Sequence, residues 1–217
     1  MSMRWWSPCL ILTFGFLLLS NARGLARSTG DPAARTGAPL LGAVPAEATC
    51  SSVGCHLGNP LGTGGMLEIL GVPAPYVPGN TYDITVRLTS TATAGSAERK
   101  WGFQLTALRV ADGLGTGTFS APGLQILSGT ASRKYVTHNV ANLKTGTAGP
   151  AEWTVSWTAP STEVGLVGFY AAGVAGDGNL FASGDFVYTA AGTTSTVVPA
   201  FPVTWGALKN GSPWKNP

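Results

Sequence analysis

Charge is what this sequence has least of. Of its 217 residues only 11% are Asp, Glu, Lys or Arg, where an average soluble domain carries roughly 25%. Ten acidic residues cannot furnish a carboxylate-rich metal centre, and thirteen basic residues scattered singly form no cationic stripe of the kind that neutralises nucleic-acid phosphates. No nucleic-acid partner is therefore expected, and the net charge of +3 selects no other. Hydrolytic signatures are missing as well. The chain has no Gly-x-Ser-x-Gly elbow and no phosphate-cradling glycine loop ahead of a helix, and its carboxylates are dispersed, so it is read as a non-enzyme. It holds no internal repeat, two histidines, three cysteines and three methionines.

What is present is glycine (30), proline (15), seven tryptophans and a 44% share of hydrophobic residues, enough apolar material for a core. Glycine and threonine where a helical protein would carry Leu, Glu and Lys point to short strands joined by turns. From Tyr82 the sequence alternates, with Tyr82, Ile84, Val86 and Leu88 on one face and Asp83, Thr85, Arg87 and Thr89 on the other, which predicts a half-buried strand. Further strands are predicted at 102–110, 123–127, 134–139, 153–158, 165–172 and 185–189, separated by turn clusters such as Ala111-Asp112-Gly113 and Gly176-Asp177-Gly178-Asn179. Seven such strands predict an all-β fold, an antiparallel two-sheet sandwich of immunoglobulin-like type. Trp153, Val155 and Trp157 share one face and anchor its core, while Thr154, Ser156 and Thr158 face water.

The two ends differ from this body. Residues 1–26 hold Arg4, an uncharged run over 5–22 and small residues at Ser20 and Ala22, which reads as a secretory leader cleaved near Ala22 or Ala26. The same run, at 1.5 Å per residue, reaches about 27 Å as a helix, so an uncleaved anchor through residues 5–22 is the rival reading. Arg23, Arg27 and Arg35 on the exported side oppose that anchor by the positive-inside rule. Either way the remainder is extracytoplasmic, in the periplasm or at the cell surface. Residues 27–49, rich in Ala, Gly and Pro, form an extended tether or a segment laid over the domain. The sandwich spans 50–192, and an irregular tail over 193–217 carries an aromatic patch at Trp205 and a second tryptophan, Trp214.

The chemistry-bearing residues are few. An oxidising compartment asks for cysteines in pairs, and once Cys9 leaves with the leader only Cys50 and Cys55 remain. They stand in Cys50-Ser51-Ser52-Val53-Gly54-Cys55-His56. One reading is a c-type haem site, in which both thiols form thioethers to the haem vinyls and the adjacent His56 binds iron. The gap of four residues between the thiols is longer than the usual two, and Gly54 would let the loop bulge. A second reading is a Cys50–Cys55 disulfide, worth roughly 2 kcal/mol by loop entropy. A third is zinc held by Cys50, Cys55, His56 and His138, which adjacent ligands at 55 and 56 disfavour. Low-spin haem needs a second axial group. His138, in a predicted strand, is the other histidine, and Met66 is the methionine outside the leader.

The order of motifs along the chain resembles the Reeler-type domains, in particular exported bacterial proteins of that group. The matching residues are Thr36-Gly37-Ala38-Pro39, the Cys50–His56 motif, Tyr76-Val77-Pro78-Gly79 and Trp101-Gly102-Phe103-Gln104-Leu105. They continue through Val136-Thr137-His138, the stretch 153–160, Gly168-Phe169-Tyr170-Ala171-Ala172-Gly173 and Gly184-Asp185. The resemblance covers residues 36–189 and implies a Reeler-like β-sandwich. It also implies haem c at Cys50 and Cys55, with His56 and His138 as the axial pair. The function expected is that of an exported monohaem electron-transfer protein with a redox partner. The alternative is a haem-free, disulfide-stapled interaction subunit docked on a larger membrane protein complex.

Overall fold

The computed structural model describes residues 29–52, 55–57, 59–91 and 98–196. The leader, its cleavage point or anchor, Cys9 and the tail around Trp205 lie outside the described residues. Nine strands form among the described residues: β1 (Gly65–Leu70), β2 (Thr81–Ser90), β3 (Lys100–Arg109), β4 (Thr118–Ser120), β5 (Gln125–Ser128), β6 (Lys134–Thr137), β7 (Ala151–Thr158), β8 (Val167–Gly176) and β9 (Phe186–Thr194). They make two antiparallel sheets, ordered β1-β2-β7-β4 and β5-β6-β3-β8-β9. Among the described residues the one helical element is a 3-10 turn, Val140–Asn142.

The alternation in β2 and β7 survives as predicted. Ile84, Val86 and Leu88 meet Trp153, Val155 and Trp157 on the buried face. Their opposite faces are joined by hydroxyl pairs, Thr81–Thr158 and Thr85–Thr154 at 2.8 Å, and by Ser156 donating to Asp83 at 2.8 Å. These hydroxyl contacts join the strands alongside one exposed ion pair, Arg87–Glu152 at 3.3 Å. The two sheets close on one another through Phe103 stacked on Trp153 (4.6 Å between centroids) and Trp157 set edge-on to Phe169 (4.9 Å). This apolar interior is the main source of stability.

Strands β3 and β8 differ, because both their faces are buried. The inner face, with Trp101, Phe103, Leu105, Phe169 and Ala171, belongs to the interior. The outer face is covered by the segment 29–57, so of the two readings of the Ala/Gly/Pro-rich stretch the structure shows the one laid over the domain. Ala38 and Leu41 pack on Leu108 and Tyr170. Gln104 accepts from the Arg35 amide (2.7 Å) and donates to the Pro32 carbonyl (2.9 Å). Glu47 accepts from Arg133 at 2.5 Å, from the Tyr135 hydroxyl at 2.6 Å and from Thr36 at 2.6 Å. With the Glu47 and Arg133 side chains 3% and 2% exposed, this pair is a buried clamp holding the segment to the sheet.

Candidate functional site

The segment that covers the outer face ends in the cysteine-histidine loop. Backbone bonds from Ser52 N to Thr49 O (3.1 Å), Cys55 N to Ser52 O (3.0 Å) and His56 N to Cys50 O (3.0 Å) wind it into a compact double turn. Leu57 then pairs with Ser183, and the Leu57 amide donates to the Ala182 carbonyl, which delivers His56 to the loop preceding β9. There His56 Nδ1 lies 2.5 Å from Asp185 Oδ2, both side chains buried. Asp185 is itself fixed by the Asp177 amide, which donates to its Oδ1 at 3.0 Å.

His138 arrives from the other side. The predicted strand over 134–139 stops at Thr137, so His138 leaves the ladder. Its ring lies over Gly102: a Cβ there would sit 2.5 Å from Cε1, so only glycine leaves the ring its place. Nδ1 of His138 accepts from the Phe103 amide at 3.0 Å and lies 3.2 Å from the Phe103 carbonyl. Burial holds this imidazole below its ordinary pKa, reinforced by charge on His56 and opposed by Asp31 and by the Phe103 backbone, so it is neutral at neutral pH.

Both histidines line one small cleft of about 50 Å³, with Gly102, Val174 and Gly176 of the outer sheet face, the apolar side chains Leu143, Leu180 and Phe181, and Lys100, Asp177 and Asp185. Among the described residues neither Nε2 has a hydrogen-bond partner. The two imidazoles differ in what their Nδ1 does. At His56 a carboxylate faces Nδ1, an arrangement that metal-binding histidines share. At His138 Nδ1 sits between the Phe103 N–H at 3.0 Å and the Phe103 carbonyl at 3.2 Å, accepting from the one or donating to the other according to the tautomer.

The thiols are placed less simply. Cys50 is 1% exposed, packed with Ala172, Val174 and Val187, and its Sγ donates to Asp31 Oδ2 at 3.2 Å. Burial foremost, and Asp31 beside it, push this thiol well above its ordinary pKa. Cys55 is half-buried and the two sulfurs are not joined, so the disulfide weighed from the sequence is not what this fold holds; Cys50 has turned to Asp31 instead. No three His, Cys, Asp or Glu side chains gather as a metal site among the described residues, which leaves the four-ligand zinc arrangement of Cys50, Cys55, His56 and His138 without support. Met66, weighed as a stand-in for His138, is 54% exposed on β1 and does not line the cleft.

Asp31, Asp185 and Gly102 were not expected at the site. Asp31 and Asp185 are buried acids in a chain with only ten acidic residues. Asp185 meets His56 across 129 residues, which local patterning cannot register, and Asp31 meets Cys50 across 19.

The architecture defines the class, an all-β two-sheet sandwich with a histidine-lined cleft on the outer face of its larger sheet. No family model and no curated protein matches the chain. Among solved structures it is similar to the reeler domain of human F-spondin, with a TM-score of 0.42 and 20% identity over 64% of this chain and 93% of that one. It is also similar to the sixth cohesin of scaffoldin B from Acetivibrio cellulolyticus (TM-score 0.39, 14% identity, 62% of this chain and 100% of that one). A third likeness is to AggA, the major subunit of aggregative adherence fimbriae type I from Escherichia coli (TM-score 0.36, 12% identity, 66% and 98%). At these identities the likeness is one of fold.

Proposed function

We propose that the chain is an exported monohaem c-type electron-transfer protein on a Reeler-like β-sandwich, its haem attached through Cys50 and Cys55 and its axial histidines His56 and His138. One observation carries this reading. The only two imidazoles of the sequence, 82 residues apart, line a single cleft, and His56 is held by a buried carboxylate at Nδ1 with Nε2 free. Gly102 and Gly176 contribute no side chain to the sheet face, and Leu143, Val174, Leu180 and Phe181 contribute hydrocarbon beside the charged Lys100, Asp177 and Asp185; neither Cys50 nor Cys55 lines the cleft.

Haem bound here supplies one-electron chemistry. The chain's own residues do the rest. Cys50 and Cys55 would hold the group through thioethers, each thiol's hydrogen going to the terminal vinyl carbon, so that no oxidant would be consumed. Cys50 would lose its hydrogen bond to Asp31 in doing so. Asp185 orients His56 and adds negative charge behind it, which favours the oxidised metal. The apolar leader read over residues 5–22 supports an extracytoplasmic location, and a redox partner or a membrane protein complex would receive the electron.

The test is an intact-mass measurement and a visible spectrum on protein purified from the export compartment of its host. A mass raised by one haem and a Soret band that survives denaturation are expected. An unmodified chain with two free thiols, or one lacking two hydrogens, overturns the reading in favour of the haem-free interaction subunit.

A further inference from the structure

A second concavity, larger than the histidine cleft, lies between the covering segment and the turn that leads into β6. It is a groove of about 370 Å³ lined by Arg35, Glu47, Arg133 and Tyr135 together with aliphatic side chains, within the range of roughly 300–1,000 Å³ that small-molecule clefts occupy. Its polar groups are unevenly used. Glu47 is spent, because its two oxygens already take the Thr36 hydroxyl, the Tyr135 hydroxyl and Arg133. Arg35 is not. Its side chain makes one long contact, from Nη1 to the Ala34 carbonyl at 3.4 Å, and its buried Nε has no acceptor among the described residues. Arg133, 2% exposed, likewise keeps Nη2 without a partner there. Buried donors left unpaired are costly and ask for an acceptor from outside the chain. Two guanidiniums against one carboxylate also leave one positive charge over. The main chain places Arg35 without help from its side chain: Ala34, in the left-handed region at φ 65°, makes the turn after which the Arg35 amide donates to Gln104 at 2.7 Å.

We propose that this groove binds a small monocarboxylate, whose oxygens take the Arg35 guanidinium and whose hydrocarbon tail lies along Ala34, Val44, Pro45 and Ala48. The planar fork of an arginine matches a carboxylate two bonds at a time. The aliphatic walls favour an apolar tail behind it. The Glu47 carboxylate in the same wall sets the charge of the ligand: one negative charge is matched, and a second is repelled, so a dianionic phosphate is selected against. None of these residues lines the histidine cleft, so the site stands whether or not haem is found.

The test is a calorimetric titration of the full chain with sodium hexanoate, sodium acetate and inorganic phosphate, at a mildly alkaline pH where phosphate is dianionic. Saturable binding of hexanoate is expected, at least about tenfold tighter than acetate, since each added methylene brings up to about fourfold when buried. Phosphate should bind more weakly than either. Arg35→Gln keeps every main-chain bond of the residue and should weaken hexanoate by about tenfold or more. Arg35→Lys, which keeps the charge and loses the fork, should fall between. Four results overturn the proposal: no saturable heat with hexanoate, acetate as tight as hexanoate, phosphate as tight as hexanoate, or an affinity for hexanoate that neither Arg35 variant changes.

Discussion

Gly102→Ala places a methyl group against the His138 ring, and the structure sets the size of the effect. The new Cβ would lie 2.5 Å from Cε1, 2.8 Å from Nδ1 and 3.0 Å from Nε2, where relaxed heavy-atom contacts are about 3.5–4.0 Å. The ring must shift by roughly 1 Å to relieve this, which carries Nδ1 beyond hydrogen-bond reach of the Phe103 amide, now at 3.0 Å. Overpacking costs about 1–3 kcal/mol and the orphaned buried amide about 1–3 more, so a loss of roughly 2–6 kcal/mol is expected. The assay is urea unfolding of the haem-free chain followed by circular dichroism, for wild type, Gly102→Ala, His138→Ala and the double variant. With the ring gone the methyl group has nothing to strike, and alanine in a strand is then worth about 0.5–1 kcal/mol over glycine. The cost of Gly102→Ala should therefore vanish or reverse in the His138→Ala background. An equal cost in both backgrounds would refute the contact between this glycine and this ring.

Glu47→Gln leaves Arg133 buried without its counter-charge and should cost about 3–5 kcal/mol in the same assay, with most of the loss recovered by adding Arg133→Met; a cost under about 1 kcal/mol for the single variant would show that the clamp is not formed. Asp185→Asn keeps an oxygen for the Asp177 amide but replaces the carboxylate at His56, so a loss of about 1.5–3 kcal/mol is expected, and in haem-loaded protein a higher midpoint potential. Alkaline pH should unfold the haem-free chain through a group whose sign is clear. Burial first, then Asp31, raises the Cys50 pKa, so the unfolded chain ionises this thiol before the folded one does. Its stabilising contribution is therefore complete below the pH at which a free thiol ionises and is lost as pH rises above it, with Tyr135, Tyr170 and Tyr188 acting in the same direction. A urea midpoint that falls between about pH 8 and about pH 10, and falls less in Cys50→Ser, is the expected result; an identical decline in both proteins would exclude Cys50 as a contributor.

The strands that alternate were legible in the sequence, and those buried on both faces were not. β2 and β7 carry one wet face, so period two appears in Ile84, Val86 and Leu88 and in Trp153, Val155 and Trp157. β8 is covered on both sides, and its run of small and apolar residues gives no period from which to read an end; the expected strand stopped at 172, whereas β8 continues to Gly176. β1, with Glu68 inside a short edge strand, and the three-residue β4 were missed for want of length and contrast. At the site, Cys50, Cys55, His56 and His138 were visible because those residue types are so rare in this chain. Their partners were not: Asp185 stands 129 residues from His56, and Asp31, 19 residues before Cys50, lies in a segment with no period to pair the two.

The segment clamped by Glu47 and Arg133 imposes an order in time. Cys50 is synthesised early, yet it is sealed beneath Val174 and Val187, which lie on the last two strands of the sheet. His56 likewise finds Asp185 only when β9 begins to dock. Between translation of the loop and closure of β9, the sulfur of Cys50 is open to a bulky reagent; afterwards it is not. Whatever is attached to that sulfur must be attached before the protein finishes folding, which makes the rate of strand closure the clock against which any maturation machinery works.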